Sequence, residues 1–248
     1  MFKEIEDAWT QDSVGYDELV KKQLSNKSDV RYWTKELKKV LGDRQLKVLD
    51  VGCGPGFLSI LMMRLGHEVK AIDGSAGMVR CAAANFAAEE RKILVQEEDA
   101  VELPEEEKEV YDVIISRDVV WTLYDPLRAF TRWKEVLKPG GKVILYDGDY
   151  RRDTRSFKIT AWKCLSCFLT AVTERKLPGT ASHSDDAGVF AALPMVSAKR
   201  PERDLELFRE AGYKKIRITN DGYRNSPKRM EFWKYGYQGK KFRVMVWK

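Results

Sequence analysis

Val48-Leu49-Asp50-Val51-Gly52-Cys53-Gly54-Pro55-Gly56-Phe57 runs from an apolar, β-branched stretch onto a carboxylate, then through alternating glycines into the apolar run 57–65. That order predicts a strand, a tight turn and a helix. Glycine carries no Cβ, so the turn is free to adopt positive φ and bring its backbone against a ligand. The following helix directs its free N–H groups and the positive end of its dipole to the same point. A dinucleotide fingerprint, G-x-G-x-x-G, would need glycine at position 57, where this chain has Phe57. A nicotinamide enzyme is therefore a distant reading. A glycine-rich turn alone is also an ordinary βα loop, so what stands at fixed distances from it decides.

Residues 68–72 read as the second strand, ending at Asp73, 21 positions beyond Gly52, where doubly wound folds place a carboxylate for ribose hydroxyls. Gly74-Ser75 and a helix containing Met78 follow. The run 92–96 predicts a third strand, ahead of Glu97-Glu98-Asp99-Ala100. Residues 111–116 have the almost unbroken apolar middle of a central parallel strand and end in Ser116-Arg117-Asp118-Val119-Val120-Trp121. A helix over 126–137 leads through Leu137-Lys138-Pro139-Gly140-Gly141, read as a turn, into a fifth strand over 143–146. That strand empties into Asp147-Gly148-Asp149-Tyr150. A further helix opens at Pro201-Glu202, and strands are predicted over 213–219 and 241–247.

Together these motifs resemble the class I S-adenosylmethionine-dependent methyltransferases, small-molecule type, over about residues 46 to 149. The resemblance implies an α/β, Rossmann-like seven-stranded sheet of order 3-2-1-4-5-7-6, with strand 7 antiparallel and helices on both faces. It implies that Asp50, Gly52, Cys53, Gly54 and Gly56 wrap the amino-acid end of the cofactor. Asp73 with Gly74 would take the ribose, Met78 would lie near the adenine, and Asp99 with Ala100 would accept from the adenine amino group. Glu98 is the substitute if the register is shifted by one. Arg117 and Trp121 fall where substrate and cofactor meet. Arg117 either binds cofactor or a substrate carboxylate or phosphate, or pairs with Asp118 or Asp73.

Residues 1–45 read as an N-terminal helical segment, with Asp29 as the cap of its last helix and Gly42 as its end. In the family such a segment closes over the cofactor, which makes Tyr16 either a lid residue or an anchor; Trp9 and Trp33 read as anchors. Residues 46–248 form the methyltransferase domain, with 150–200 inserted as a substrate-side cap. Helix is predicted over 157–172 and loop over 177–201. A base is needed only if the acceptor arrives protonated; the candidates are Asp147, Asp149, Tyr150 and His183. Asp147 and Asp149 alternatively pair with Arg151 and Arg152, and His183 is alternatively a plain loop residue. Tyr150 is also a substrate contact. Cys164 and Cys167 form a lone C-x-x-C on an apolar helix, which favours packing over zinc.

The chain of 248 residues is 44% hydrophobic and 33% charged, as an ordinary soluble globular protein is. Met1 to Asp7 is acidic without an apolar core, and no run approaches a membrane span, so neither a signal peptide nor a transmembrane helix is expected. Four cysteines make no disulfide framework, so a cytoplasmic setting is expected. The net charge of +6 hides an asymmetry: residues 1–149 hold 22 Lys+Arg against 28 Asp+Glu, and residues 150–248 hold 22 against 10. The basic half suits an anionic small-molecule substrate, a nucleic acid or only a solvated surface. The basic, aromatic stretch 220–240 either covers the site, binds a partner or is a run of surface turns. The leading expectation is methyl transfer to a small molecule. Its rivals are a methyltransferase acting on RNA or protein and a cofactor-binding subunit without turnover.

Overall fold

The computed structural model describes residues 2–89, 93–150, 157–174 and 189–248. Two helices open the chain, α1 (Phe2–Ser25) and α2 (Lys27–Leu41). Then come β1 (Lys47–Val51), α3 (Phe57–Arg64), β2 (Glu68–Asp73), α4 (Ala76–Ala87), β3 (Leu94–Glu97) and β4 (Tyr111–Arg117). The rest is α5 (Pro126–Val136), β5 (Leu137–Gly148), α6 (Phe157–Glu174), α7 (Glu202–Glu210), β6 (Lys215–Asn220), α8 (Met230–Tyr235) and β7 (Lys241–Trp247). The strands form one sheet of order β3-β2-β1-β4-β5-β7-β6, parallel from β3 to β5 and antiparallel at β7 on both sides. This is the expected order.

Alternation along each strand sends neighbouring side chains to opposite faces. Val48, Val113, Ile115 and Ile144 pack under α2, α3 and α4 with Trp33, Leu37, Phe57 and Phe86. Leu49, Ile114, Val143 and Leu145 pack under α5 and α7 with Phe130, Trp133, Leu207 and Phe208. Because the central strands are covered on both faces, they read as near-continuous apolar runs.

Local boundaries differ from expectation where side chains found other partners. Asn26, not Asp29, caps α2, accepting from the Ser28 and Asp29 amides. Asp29 instead takes the Tyr223 hydroxyl and the Arg229 guanidinium, each at 2.7 Å. The Leu-Lys-Pro-Gly-Gly run is not a turn before β5 but a bulge within it. Leu137 pairs with Tyr111 and Lys142 with Val113, so 138–141 are extra residues on one side of the ladder. Cys164 and Cys167 are exposed rather than packed. The stretch 220–240 contains α8; Tyr223 stacks on Tyr32 of α2 at 3.6 Å between centroids, while Phe232 and Trp233 pack against Trp162 of α6. Of the expected cap, only 150, 157–174 and 189–200 fall among the described residues.

Candidate active site

A cavity of about 850 Å³ lies at the carboxyl ends of the parallel strands, where the strand order reverses between β1 and β4. The loop after β1 forms its floor. Gly52 has φ +68°, and a Cβ there would stand 2.4 Å from Val119 Cγ2. Gly56, with φ +94°, would put a Cβ 2.2 Å from the Phe86 ring. Both positions demand glycine sterically as well as conformationally. The amides of Gly52 and Cys53 both donate to Ile72 O at 2.9 Å, which ties the loop to β2. At Gly54 a Cβ would meet only open space.

Three carboxylates line the cavity, Asp50 from the end of β1, Asp73 closing β2 and Asp99 just after β3. Asp50 is buried and accepts from Ser59 Oγ at 2.5 Å; burial pushes its carboxyl up to about 6 against the pull of Ser59 and Arg117. Asp73 accepts from the Gly54 amide at 2.8 Å and the Ser75 amide at 2.9 Å, yet burial still raises it to about 6. Asp99 accepts from the Val101 amide and the Tyr124 hydroxyl. Asp99, Ala100, Gly74, Met78 and Cys53 all line the cavity. Glu98, the register substitute, does not line it and faces Lys70 and Glu106 instead.

Helix α1 forms a wall through Phe2, Ile5, Glu6, Trp9, Tyr16 and Val20. It is held to α4 by Thr10 Oγ1 on Ser75 Oγ at 2.9 Å and by Asn85 Nδ2, which donates to Asp17 and to Pro55 O. Trp9 is edge-on to Tyr16, Trp121 and Phe190, so it lines the cavity rather than only anchoring the helix. Trp33 is buried and carries the Arg117 guanidinium over its ring at 5.4 Å.

The wall from β4, β5 and β7 carries the opposite charge. Arg117 lies over the rings of Trp33 and Phe57 and has no ion pair among the described residues; neither Asp118 nor Asp73 engages it. Burial holds its guanidinium below its ordinary range. Asp118 sits at φ +59°, a conformation rare outside glycine and concentrated at functional sites. Both its oxygens accept from Arg224 at 3.0 Å, and one also takes the Tyr150 hydroxyl at 2.5 Å. Desolvation opposes ionisation there, but Arg224, Lys241 and Arg117 with the Tyr150 hydroxyl together outweigh it and keep the carboxyl well below its usual range. Trp121 donates to Asp118 O, and Trp121, Tyr150 and Lys241 line the cavity.

The base candidates separate. Asp147 is not on the cavity. It is 1% exposed and bound to Arg200, which Asp204 also clamps. Its Oδ2 accepts from Arg200 and its Oδ1 from the Gly148 amide, so the structure places it in a buried ion cluster behind the cavity lining and not among the residues expected beside the acceptor. It pairs with Arg200; Arg151 and Arg152 lie outside the described residues. Asp149 does not line the cavity either; its amide donates to Lys240 O. Tyr150 reaches the cavity, but its hydroxyl is committed to Asp118, and burial raises it well above a phenol's usual range. His183 lies outside the described residues. Sequence reasoning did not single out Tyr124, Arg224 or Lys241 for the site. The only signal for the last two was the cationic character of the stretch before β7.

Residues 49–145 match a family model described as a methyltransferase domain. A ubiquinone biosynthesis O-methyltransferase of Caulobacter sp. (strain K31) is 35% identical over 100 residues, 40% of this chain and 40% of the relative. The corresponding protein of Xanthomonas campestris pv. campestris (strain B100) is 32% identical over 99 residues, 40% and 41% of the two chains. This chain thus spans about two fifths of the length of the relatives it matches. Among solved structures, an S-adenosylmethionine-dependent methyltransferase of Aquifex aeolicus superposes with TM-score 0.57 at 19% identity over 93% of this chain and 97% of that one. A Haemonchus contortus phosphoethanolamine N-methyltransferase 2, solved with phosphomonomethylethanolamine and S-adenosylhomocysteine, gives 0.58 at 18% over 86% and 51%. The 4+2 cyclase SpnF gives 0.57 at 16% over 89% and 80%. At such identities the structures share a fold with this chain and nothing narrower.

Proposed function

We propose that this chain, whose residues 49–145 are a class I S-adenosylmethionine-dependent methyltransferase domain, transfers a methyl group from that cofactor to a small-molecule acceptor. The observation that carries the reading is the sorting of charge across one cavity. Asp50, Asp73 and Asp99 follow β1, β2 and β3, whereas Arg117 and Lys241 stand on the β4–β7 side. S-adenosylmethionine presents donors along its length: an α-amine, two ribose hydroxyls and an adenine amino group. Three carboxylates on adjacent strands suit them in that order. Gly54, open towards the cavity, leaves room for close backbone approach.

When bound, the cofactor supplies a sulfonium methyl that a nucleophile displaces in line from a neutral thioether. The chain's own part is to hold the reactants in near-attack geometry and to exclude water. In this reading α1 is a lid, and Trp9, Tyr16 and Trp121 close the aromatic side of the cavity. Arg117, without an ion pair among the described residues, receives an anionic group of the acceptor or the carboxylate of the cofactor. The relatives named as O-methyltransferases act on small molecules, which favours the same acceptor class here. A reducing, cytoplasmic setting suits four unbridged cysteines. The shared fold with a cyclase favours keeping one other reading, a cofactor-binding protein that does not transfer methyl.

Thermal stability measured with S-adenosylmethionine, S-adenosylhomocysteine and NAD tests this directly. A ligand at about 100 times its dissociation constant adds roughly 2.7 kcal/mol of apparent stability. Both sulfur cofactors are expected to raise the melting point, NAD to leave it unchanged, and Asp73→Ala to weaken the rise. No shift with either sulfur cofactor sinks the reading. A shift without S-adenosylhomocysteine formation from any acceptor favours the binding protein.

A further inference from the structure

Two lysines line the cavity from neighbouring elements. Lys163 belongs to α6, and Lys241 opens β7 opposite Gly148 of β5. The turn 236–238 leads into β7, and its Tyr237 and Gln238 line the cavity as well. Lys163 Nζ stands 6.0 Å from the centre of the Tyr237 ring, and Lys241 Nζ 3.8 Å from that of Tyr150. Neither ammonium forms an ion pair among the described residues. The carboxylates near Lys241 are bound elsewhere: Asp118 by Arg224 and Tyr150, Asp221 by Arg224, and Asp147 by Arg200. Burial, joined by Arg224, brings the Lys241 amine down to about 8 against the field of Asp118, Asp147 and Asp221, which leaves it charged at neutral pH. Lys241 is a cation short of counter-charge.

We propose that Lys163 and Lys241 hold an oxyanion of the acceptor, which is therefore a small molecule with a carboxylate or phosphate away from its methylated atom. This rests on the methyltransferase reading of the same cavity.

The sorting of charge decides which molecule the lysines serve. In that reading Asp50, Asp73 and Asp99 take the donors of the cofactor. Arg117 lies over Phe57, the first residue of the helix that leaves the glycine loop, and within the field of Asp50. Asp50 and Arg117 thus offer opposite charges to the amine and the carboxylate of the cofactor's amino-acid end. Arg117 is then spent on the cofactor, whose single carboxylate leaves nothing for two more cations. An ammonium on a flexible stem is a point charge, which follows a carboxylate or a phosphate alike. Both lysines also belong to the half of the chain from 150 to 248, with 22 Lys+Arg against 10 Asp+Glu, whose field draws anions towards the cavity.

The test is a calorimetric titration of inorganic phosphate and of acetate into the full chain saturated with S-adenosylhomocysteine, at pH 7 and constant ionic strength. Wild type is expected to bind one anion per chain. Tighter binding of phosphate supports a phosphorylated acceptor, and tighter binding of acetate a carboxylic acid. Lys163→Gln and Lys241→Gln should each weaken the binding about tenfold, the loss of one charge-assisted contact. Both should keep the melting point and the affinity for S-adenosylhomocysteine. Lys214→Gln, at an exposed lysine off the cavity, should change nothing. Lys163 is itself exposed, so its variant keeps the test open if Lys241→Gln folds poorly. No saturable anion binding in wild type, or undiminished binding in both variants, overturns the proposal. So does a loss of S-adenosylhomocysteine affinity in place of anion affinity, which would give the lysines to the cofactor. The wild-type samples separate the causes. If S-adenosylhomocysteine binds and neither anion does, only the anion site fails; if S-adenosylhomocysteine does not bind, the methyltransferase reading fails first.

Discussion

Asp50 and Asp73 are buried carboxyls raised to about 6, and they face the place proposed for an amine and two ribose hydroxyls. Donors favour the ionised form, so ligand binding should pull both groups down and release protons where they were held. The sign follows. Affinity for S-adenosylhomocysteine is full above about pH 6, where both are already ionised, and weakens as pH falls below it. Asp73→Asn should lower affinity at neutral pH and flatten part of the acid-side loss. Calorimetric titration between pH 5 and 8 reads both effects, and an affinity that rises on acidification sinks the assignment. These carboxylates were legible in the sequence because the length of a βα unit fixes their spacing from the glycine loop. Asp147 looks the same in sequence, a carboxylate ending an apolar strand. What separates it is Arg200, 53 positions away and visible only once the chain is folded. Lys241 was silent for the same reason: the antiparallel pairing of β7 sets it opposite Gly148 of β5, and it lines the cavity there.

Among the elements, α1 carries the most of the proposed site outside the sheet. Its helical character was legible from apolar spacing, but not its single run from Phe2 to Ser25 or its seat on α4. That seat depends on a close approach at Gly77, where a Cβ would lie 2.7 Å from Ser13 Oγ and 2.9 Å from Thr10 O. The second contact is backbone and cannot swing away, so Gly77→Val must push α1 off α4. Overpacking of this kind costs about 1–3 kcal/mol. If α1 is the lid, the variant should release S-adenosylhomocysteine severalfold faster, and its first 25 residues should be cut sooner by protease, with the ligand protecting wild type better than the variant. Unchanged release with faster cleavage would make α1 a mere anchor. Stopped-flow displacement and timed proteolysis distinguish the two.

Across the whole molecule, the strand order was readable because the motifs fall in a fixed sequence along one sheet, while the bonds that close the far side of the sheet were not. Arg200 joins the end of β5 to the start of α7: it donates to Asp147 at 3.0 Å and to Asp204 at 2.6 Å and 2.9 Å, with all three side chains at most 1% exposed. Deleting one member of such a cluster leaves charge buried without compensation, which costs about 3–5 kcal/mol, far more than the cluster adds over an apolar substitute. Arg200→Met should therefore lower the unfolding free energy by that amount and leave two buried carboxyls that fold only when protonated. The sign of the remaining stability follows from linkage. Carboxyls raised in the folded state bind more protons there than in the unfolded chain, so the variant should regain more stability than wild type does as pH falls towards 5. Asp147→Asn, which keeps a polar partner for Arg200, should cost less stability. If Asp147 is structural, the variant should still form S-adenosylhomocysteine from S-adenosylmethionine at the wild-type rate with any acceptor that wild type methylates. Lost turnover in an otherwise stable Asp147→Asn would return the carboxylate to the chemistry. Urea titrations at pH 5 and 7, with S-adenosylhomocysteine formation measured on the same samples, decide between the two roles.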